Sequence, residues 1–354
     1  MRSHARGIEE DAMAYRIAIN GFGRIGRDFI RCLVERQLLG DAFTVVAVND
    51  LYDTATLAHL LQHDSTFGRL RAAVDVDPSG GGMSVGGQYI EVLRQRDPLF
   101  LPWADLDVDL VIEATGRFRG RDDAENHLKA GARKVLISAP GKDVDVTIVP
   151  GVNTAAYDPA RHDIVSAASC TTNCAAPMAK VLHETFGVEQ GYLTTVHAYT
   201  NDQTVLDAPH KDLRRARTAA VNIIPTSTGA AKAIGLVLPD LAGRLGGVAL
   251  RVPVENGSMT DLTVRLAQPA TTEQVNAAFA AAAEGPLAGI LRYSEAPLVS
   301  RDIIGDGSSC VFDAGLTAAD GHLVKVFGWY DNEWGYTNRL VDLAQLFAAP
   351  ATAH

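Results

Sequence analysis

Two hydrophobic patterns share this chain. Up to about residue 170, short and nearly continuous apolar runs alternate with stretches of helical periodicity, and beyond it longer segments alternate apolar with polar residues. The runs at 15–20, 43–48, 108–113, 134–137 and 163–165 read as strands buried on both faces, which predicts a doubly wound parallel sheet with helices on either side. A glycine-rich stretch at 78–87, continued by 89–92, reads as a hairpin. The segments 191–200, 248–253, 260–266 and 323–330 carry period-two alternation and predict a second, mixed α+β unit with an antiparallel sheet. Residues 336–347 place Leu340, Val341, Leu343, Ala344, Leu346 and Phe347 on one helical stripe. The fold class is therefore α/β, and 354 residues suffice for two domains.

Ligands of doubly wound sheets bind at the carboxyl ends of the strands. Asp50, Thr115, Ser138 and Cys170 all stand at such ends, so a binding site and a candidate nucleophile share one edge. The first strand is followed by Gly21, Gly23 and Gly26 in the spacing G-x-G-x-x-G, with a helix opening at once, which is the context that binds a dinucleotide pyrophosphate. Gly21 serves the tight turn, Gly23 the approach of the phosphates and Gly26 the packing of helix on strand. Asp50, at the end of the second strand, either accepts hydrogen bonds from the ribose hydroxyls, favouring NAD over NADP, or caps the next helix.

The stretch 166–174 joins a strand to a helix, with Ser169 as N-cap and Cys170 in the first turn. Unpaired N–H groups and the helix dipole there favour thiolate over thiol, which predicts a lowered pKa for Cys170. The competing reading is a small buried hydrophobe. His197, toward the end of an alternating strand, is the matching general base, and a core histidine otherwise. The basic run 209–217 reads either as a solvated loop or as a phosphate clamp. Hydroxyls at 226–228, Gly229 opening a helix, and Arg251 on a strand support the clamp.

Composition narrows the function classes. A net charge of -10 argues against a surface built for nucleic acid or an anionic membrane, and four cysteines in so long a chain suit a reducing compartment. No apolar run approaches the roughly 20 residues needed to span a bilayer. A cytoplasmic enzyme is expected, with no metal. Residues 1–14 read as a disordered extension, with Met13 as an alternative start.

Four blocks in order carry a family resemblance: Ile19-Asn20-Gly21-Phe22-Gly23-Arg24-Ile25-Gly26-Arg27, Ala168-Ser169-Cys170-Thr171-Thr172-Asn173-Cys174, His197-Ala198-Tyr199-Thr200-Asn201-Asp202-Gln203 and Trp329-Tyr330-Asp331-Asn332-Glu333-Trp334-Gly335-Tyr336. Together they resemble the signature blocks of phosphorylating glyceraldehyde-3-phosphate dehydrogenases of the bacterial type, over nearly the whole chain. The resemblance implies a homotetramer of glycolysis or gluconeogenesis. Residues 15–169 would form a Rossmann-type NAD domain onto which the helix at 336–354 packs back, and 170–335 the catalytic domain. It implies that Cys170 attacks the aldehyde while His197 takes the proton, the two pairing at rest as thiolate and imidazolium. Arg24 and Ile25 would contact the pyrophosphate, Thr115 and Ser138 would line the cofactor site, and Asn332 would hold the nicotinamide carboxamide. Thr200, Asp202 and Arg251 would bind the substrate's own phosphate. The attacking phosphate would meet Ser169, Thr171, Thr228 and Gly229, with one arginine from the basic run, Arg215 ahead of Arg214 and Arg217.

Two positions depart from the family pattern. Ala167 stands where Asn is common, removing a polar group near the nucleophile, and Ala208 stands where Leu often helps exclude a 2′-phosphate. Cys174, one turn beyond Cys170, reads as a structural thiol, with oxidative cross-linking as the alternative. The rival readings are an erythrose-4-phosphate dehydrogenase, which hydrolyses its thioester, an arsenate-using relative, and a non-catalytic scaffold that binds RNA or a partner through the cofactor groove. The Thr228-Gly229 loop and the block beginning at His197 favour the phosphorylating type.

Overall fold

The computed structural model describes residues 14–349, so the expectations for 1–14 and for the last five residues fall, Ala14 aside, outside the described residues. The elements run β1 (Tyr15–Asn20), α1 (Arg24–Glu35), β2 (Phe43–Asn49), α2 (Thr54–Gln62), a short ribbon β3 (His63–Asp64) and β4 (Gly68–Arg69), then β5 (Val74–Val76), β6 (Gly82–Val85) and β7 (Gln88–Leu93). They continue with β8 (Leu110–Glu113), α3 (Arg121–Lys129), β9 (Lys134–Ile137), β10 (Val146–Thr147), β11 (Ile164–Ser166) and α4 (Cys170–Phe186). The remainder comprises β12 (Val188–Ala198), β13 (Ile224–Ser227), α5 (Ala230–Val237), β14 (Leu245–Val252), β15 (Ser258–Leu266), α6 (Thr272–Glu284), β16 (Leu291–Ser294), β17 (Cys310–Asp313), β18 (Ala318–Asp320), β19 (Leu323–Tyr330) and α7 (Trp334–Ala348).

The first sheet has the order β10-β11-β9-β8-β1-β2-β7-β6-β5, parallel from β10 to β7 and antiparallel in the β5–β7 meander. The meander is the glycine-rich hairpin region of the sequence. Strand order reverses about β1, whose carboxyl end opens on the crevice where such sheets bind ligands. The turn after β1 is forced by contact. Gly21 has φ +93°, and a Cβ there would lie 2.6 Å from the Thr115 amide nitrogen. A Cβ on Gly26 would strike the Gly21 carbonyl oxygen, so helix and turn meet at backbone distance.

The second sheet runs β13-β14-β12-β15-β19-β17-β16, with β18 beside β19. It is mixed rather than antiparallel throughout, because β12 pairs parallel with β14, and β16 with β17. Period-two alternation is the same for either direction. The long connection from β12 through β13 and α5 supplies the crossover that a parallel pair needs. α4, α5 and α6 cover this sheet around one core, with Cys174, Met178, Leu182, Ile234 and Phe279 fully or almost fully buried. α7 instead joins the core of the first sheet, where Leu340, Val341 and Phe347 pack among Phe29, Ile30 and Leu33. Cys170 touches both cores. No helix among the described residues is long and apolar enough to cross a membrane.

Candidate active site

β11 ends and α4 begins through a tight bend at Ala168, a buried residue with φ +57°. The bend is held by the Ala168 N–H donating to Ser166 Oγ at 3.1 Å and by the Tyr336 hydroxyl donating to the Ala168 carbonyl at 3.0 Å. Ser169 caps the helix, its Oγ accepting from the Thr172 N–H at 3.1 Å. Beside it, Asn173 Nδ2 donates to the Ala167 carbonyl at 2.8 Å, so alanine at 167 leaves this junction hydrogen-bonded. Cys170 is thereby fixed as the first helical residue. It is partly exposed, whereas Cys32, Cys174 and Cys310 are fully buried.

His197, on β12, meets that thiol with Nε2 at 3.4 Å from Sγ. Its Nδ1 lies 2.7 Å from the Ala198 carbonyl, which can only accept, and 3.0 Å from Arg251 Nη1, which can only donate; the closer carbonyl favours the hydrogen on Nδ1, and in that tautomer Nε2 offers a lone pair to sulfur. Arg251 faces His197 across the parallel β12–β14 pair. Its Nη1 donates to the same Ala198 carbonyl at 3.0 Å and reaches Thr200 Oγ1 at 3.4 Å, while its Nε is buried without a partner. Tyr330 closes the floor, its hydroxyl 2.9 Å from Thr171 Oγ1 and 2.8 Å from Thr195 Oγ1, its ring edge-on to the imidazole. Burial pushes the Cys170 thiol up to about 11, against the pull of Arg251 and the Thr171 N–H and hydroxyl. Burial, and then the Arg251 charge, lower His197 to about 3. Desolvation thus works against the helix terminus at Cys170 and favours the uncharged forms of both groups, while the 3.4 Å contact between Sγ and Nε2 leaves a proton free to pass between them.

Of the three arginines in the basic run, Arg215 is the one aimed inward. Its Nε donates to Thr226 Oγ1 at 2.9 Å, its Nη1 pairs with Asp202, and its charge is felt at His197. Arg217 pairs with Asp207 instead. Thr228 Oγ1 accepts from the Ala230 N–H at 3.2 Å, and Gly229 caps α5.

On the other side of Cys170, at the carboxyl ends of β1, β2 and β8, lies a groove of about 300 Å³ whose walls include Gly21, Gly23, Asp50, Leu51, Thr115 and Arg117. Asp50 is held as an acceptor by the Phe22 N–H at 2.8 Å and the Leu51 N–H at 2.7 Å. A Cβ on Gly23 would meet nothing within 4 Å, so space stands open where phosphates would approach. The groove fits a dinucleotide.

Comparison with known proteins agrees with this geometry. Residues 15–121 match the NAD binding domain of glyceraldehyde 3-phosphate dehydrogenase, and residues 169–332 match its C-terminal domain. The chain belongs to the glyceraldehyde-3-phosphate dehydrogenase family. It is 60% identical over 333 residues to the glyceraldehyde-3-phosphate dehydrogenase of Streptomyces coelicolor, covering 94% of this chain and 98% of the relative. It is 58% identical over 332 residues to glyceraldehyde-3-phosphate dehydrogenase 2 of Streptomyces avermitilis, with the same coverage, and 57% identical over 338 residues to the Geobacillus stearothermophilus enzyme, covering 95% and 99%. The chain is accordingly an NAD-dependent oxidoreductase of the glycolytic reaction.

Several of the residues that the resemblance assigns to ligands also make bonds within the protein. The Arg24 guanidinium is engaged by Glu333, at 2.5 Å, and by Asp64, so the donors that the first turn of α1 has to offer an anion are its backbone N–H groups. Ser138 turns back to donate to the Glu113 carbonyl at 3.0 Å and is not among the groove walls. Thr171 Oγ1 lies 2.9 Å from the Tyr330 hydroxyl, and Ser169 Oγ, which accepts from the Thr172 N–H, lies 2.7 Å from Thr172 Oγ1. Asp202 would repel a phosphate. Burial works against its charge, yet Arg215 and His210 hold the carboxyl below the usual range, which makes it the holder of Arg215. Asn332 Oδ1 accepts from Ser258 Oγ at 2.7 Å. Sequence reasoning missed Tyr330 as the floor of the site, although it lies inside a quoted block, and missed Asn20, Asn49 and Gln95, which line the groove.

Proposed function

We propose that this chain oxidises D-glyceraldehyde 3-phosphate to 1,3-bisphosphoglycerate with NAD and inorganic phosphate, using Cys170 as nucleophile and His197 as base. The Cys170–His197 contact at 3.4 Å, with the imidazole in the tautomer that can accept, carries this reading. Cys170 Sγ bonds the aldehyde carbon as its proton passes to His197 Nε2, which returns it to the developing alkoxide to give a hemithioacetal. NAD, when bound, supplies the hydride acceptor that converts the hemithioacetal carbon to a thioester. His197 takes the hydroxyl proton in that conversion and releases it to solvent. A phosphate oxygen then attacks the thioester carbonyl, the C–S bond breaks, and sulfur leaves as the thiolate. Arg251, with an unpartnered Nε, and Arg215, oriented by Asp202, supply the positive charge for the two phosphates, with Thr200, Thr228 and Gly229 beside them. Asp50 and the glycine turn hold NAD, and Asn332 is the residue we assign to its carboxamide.

Residues 15–169 together with α7 serve the cofactor in this reading, and 170–335 the substrate. A homotetramer working in the cytoplasm completes it. Val205, Leu206, Leu213, Val221 and Ile223 are each at least two-thirds exposed on the segment between β12 and β13, an apolar surface suited to burial against further copies of the chain. The decisive assay is NADH formation from glyceraldehyde 3-phosphate with and without inorganic phosphate. Strong phosphate dependence is expected, and turnover indifferent to phosphate would mean hydrolysis of the thioester and would overturn the phosphorylating reading.

A further inference from the structure

Beneath the cofactor groove, a single row of side-chain hydrogen bonds crosses the carboxyl ends of four neighbouring strands. Asn49, ending β2, exchanges bonds with the backbone of Gln95 just past β7, its Nδ2 donating to the Gln95 carbonyl and its Oδ1 accepting from the Gln95 N–H, both at 2.8 Å. The same Nδ2 donates to Asn20 Oδ1 at 2.7 Å, and Asn20 Nδ2 donates to Glu113 Oε2 at 2.6 Å. From the opposite side comes a second run of donors. Trp103 Nε1 can only donate, and it gives its hydrogen to His127 Nδ1 at 2.9 Å, so Nε2 carries the hydrogen and donates to Glu113 Oε2 at 3.1 Å. The other oxygen of Glu113 accepts from the Thr115 N–H at 2.8 Å and from the Thr115 hydroxyl.

The donors of Asn20, His127 and Thr115 converge on Glu113, which is 2% exposed and accepts four hydrogen bonds from them. That carboxylate grips both walls of the groove at once: Asn20, which leads into the glycine turn, and Thr115, which the turn touches at backbone distance. We propose that Glu113 is a positioning residue for NAD, oriented by the His127–Trp103 pair, which sets the spacing between the glycine turn and the Thr115 wall without touching the cofactor. A carboxylate suits this place because it accepts on both oxygens, whereas an amide would present a hydrogen to one pair of donors.

The proposal rests on NAD as the cofactor of the groove and is tested on binding as well as turnover. Glu113→Gln should raise the Kd for NAD, measured by calorimetry, about tenfold, with KM for NAD following while kcat at saturating NAD and KM for the aldehyde stay within about twofold. Amide hydrogen exchange at Thr115 should accelerate in the same variant without NAD. Trp103→Phe removes only the donor that fixes the imidazole, and it should raise the Kd severalfold although residue 103 does not line the groove; it also serves if Glu113→Gln fails to fold. Unchanged NAD affinity in the folded variants, with only a lowered Tm, would overturn the proposal. A wild-type protein that binds NAD yet does not oxidise glyceraldehyde 3-phosphate would sink the functional reading instead and leave the role of Glu113 standing.

Discussion

The floor of the cofactor groove and the pocket around Cys170 are both polar and both buried, and they are built to opposite rules. In the floor, the donors and acceptors of the row between Gln95 and Trp103 find one another within the protein, ending on one carboxylate that is fully engaged. In the pocket, a guanidinium nitrogen of Arg251 is buried without a partner, and thiol and imidazole have both been moved by burial toward their uncharged forms. A satisfied network holds a shape. An unsatisfied one keeps interaction free energy in reserve for charge that arrives with the substrate or develops during reaction.

Cutting the reactive side should cost far more than cutting the fixed one. Cys170→Ser is expected to abolish oxidation, by roughly 10⁴-fold or more, while calorimetry still finds NAD bound with near-native affinity; substantial residual oxidation would contradict the nucleophile. His197→Asn should lower kcat by about 10²- to 10⁴-fold with little change in NAD affinity. The pH dependence follows from the two shifts. Because burial holds the thiol up to about 11 and the imidazole down to about 3, alkylation of Cys170 by iodoacetamide should quicken steadily as pH rises from 7 toward 11. A rate already flat by pH 8 would mean a resting thiolate–imidazolium pair. The smallest effect belongs to the groove: Asp50→Ala should narrow the NAD to NADP ratio of kcat/KM by about tenfold, and an unchanged ratio would remove Asp50 from cofactor choice.

Features that depend on neighbours in the chain were legible in the sequence. The glycine turn, the Ser169 cap and the placement of Cys170 each follow from local spacing, and Ser169 does cap the helix that begins at Cys170. Features that depend on distant partners were not. Arg24 turns to Glu333, 309 residues away in the chain, and Thr171 to Tyr330, 159 away, and no local pattern announces either bond. The burial that acts against the thiolate is hidden for the same reason, since the helix terminus is visible in sequence whereas the apolar neighbours of Cys170 come from both cores. Glu113 and Asn20 end β8 and β1, 93 residues apart in the chain, and no local pattern marks the bond between them. Parallel pairing of β12 with β14 was hidden too, because alternation records which face is wet and not which way a neighbour runs.

The unequal burial of the four cysteines makes the native protein a counter of its own working centres. A thiol reagent too polar to enter a packed core should take up one equivalent per folded chain, at Cys170, and reach Cys32, Cys174 and Cys310 only when the chain unfolds. The stoichiometry of fast labelling would then report the fraction of competent sites in any preparation, and the slow remainder the rate at which the fold opens.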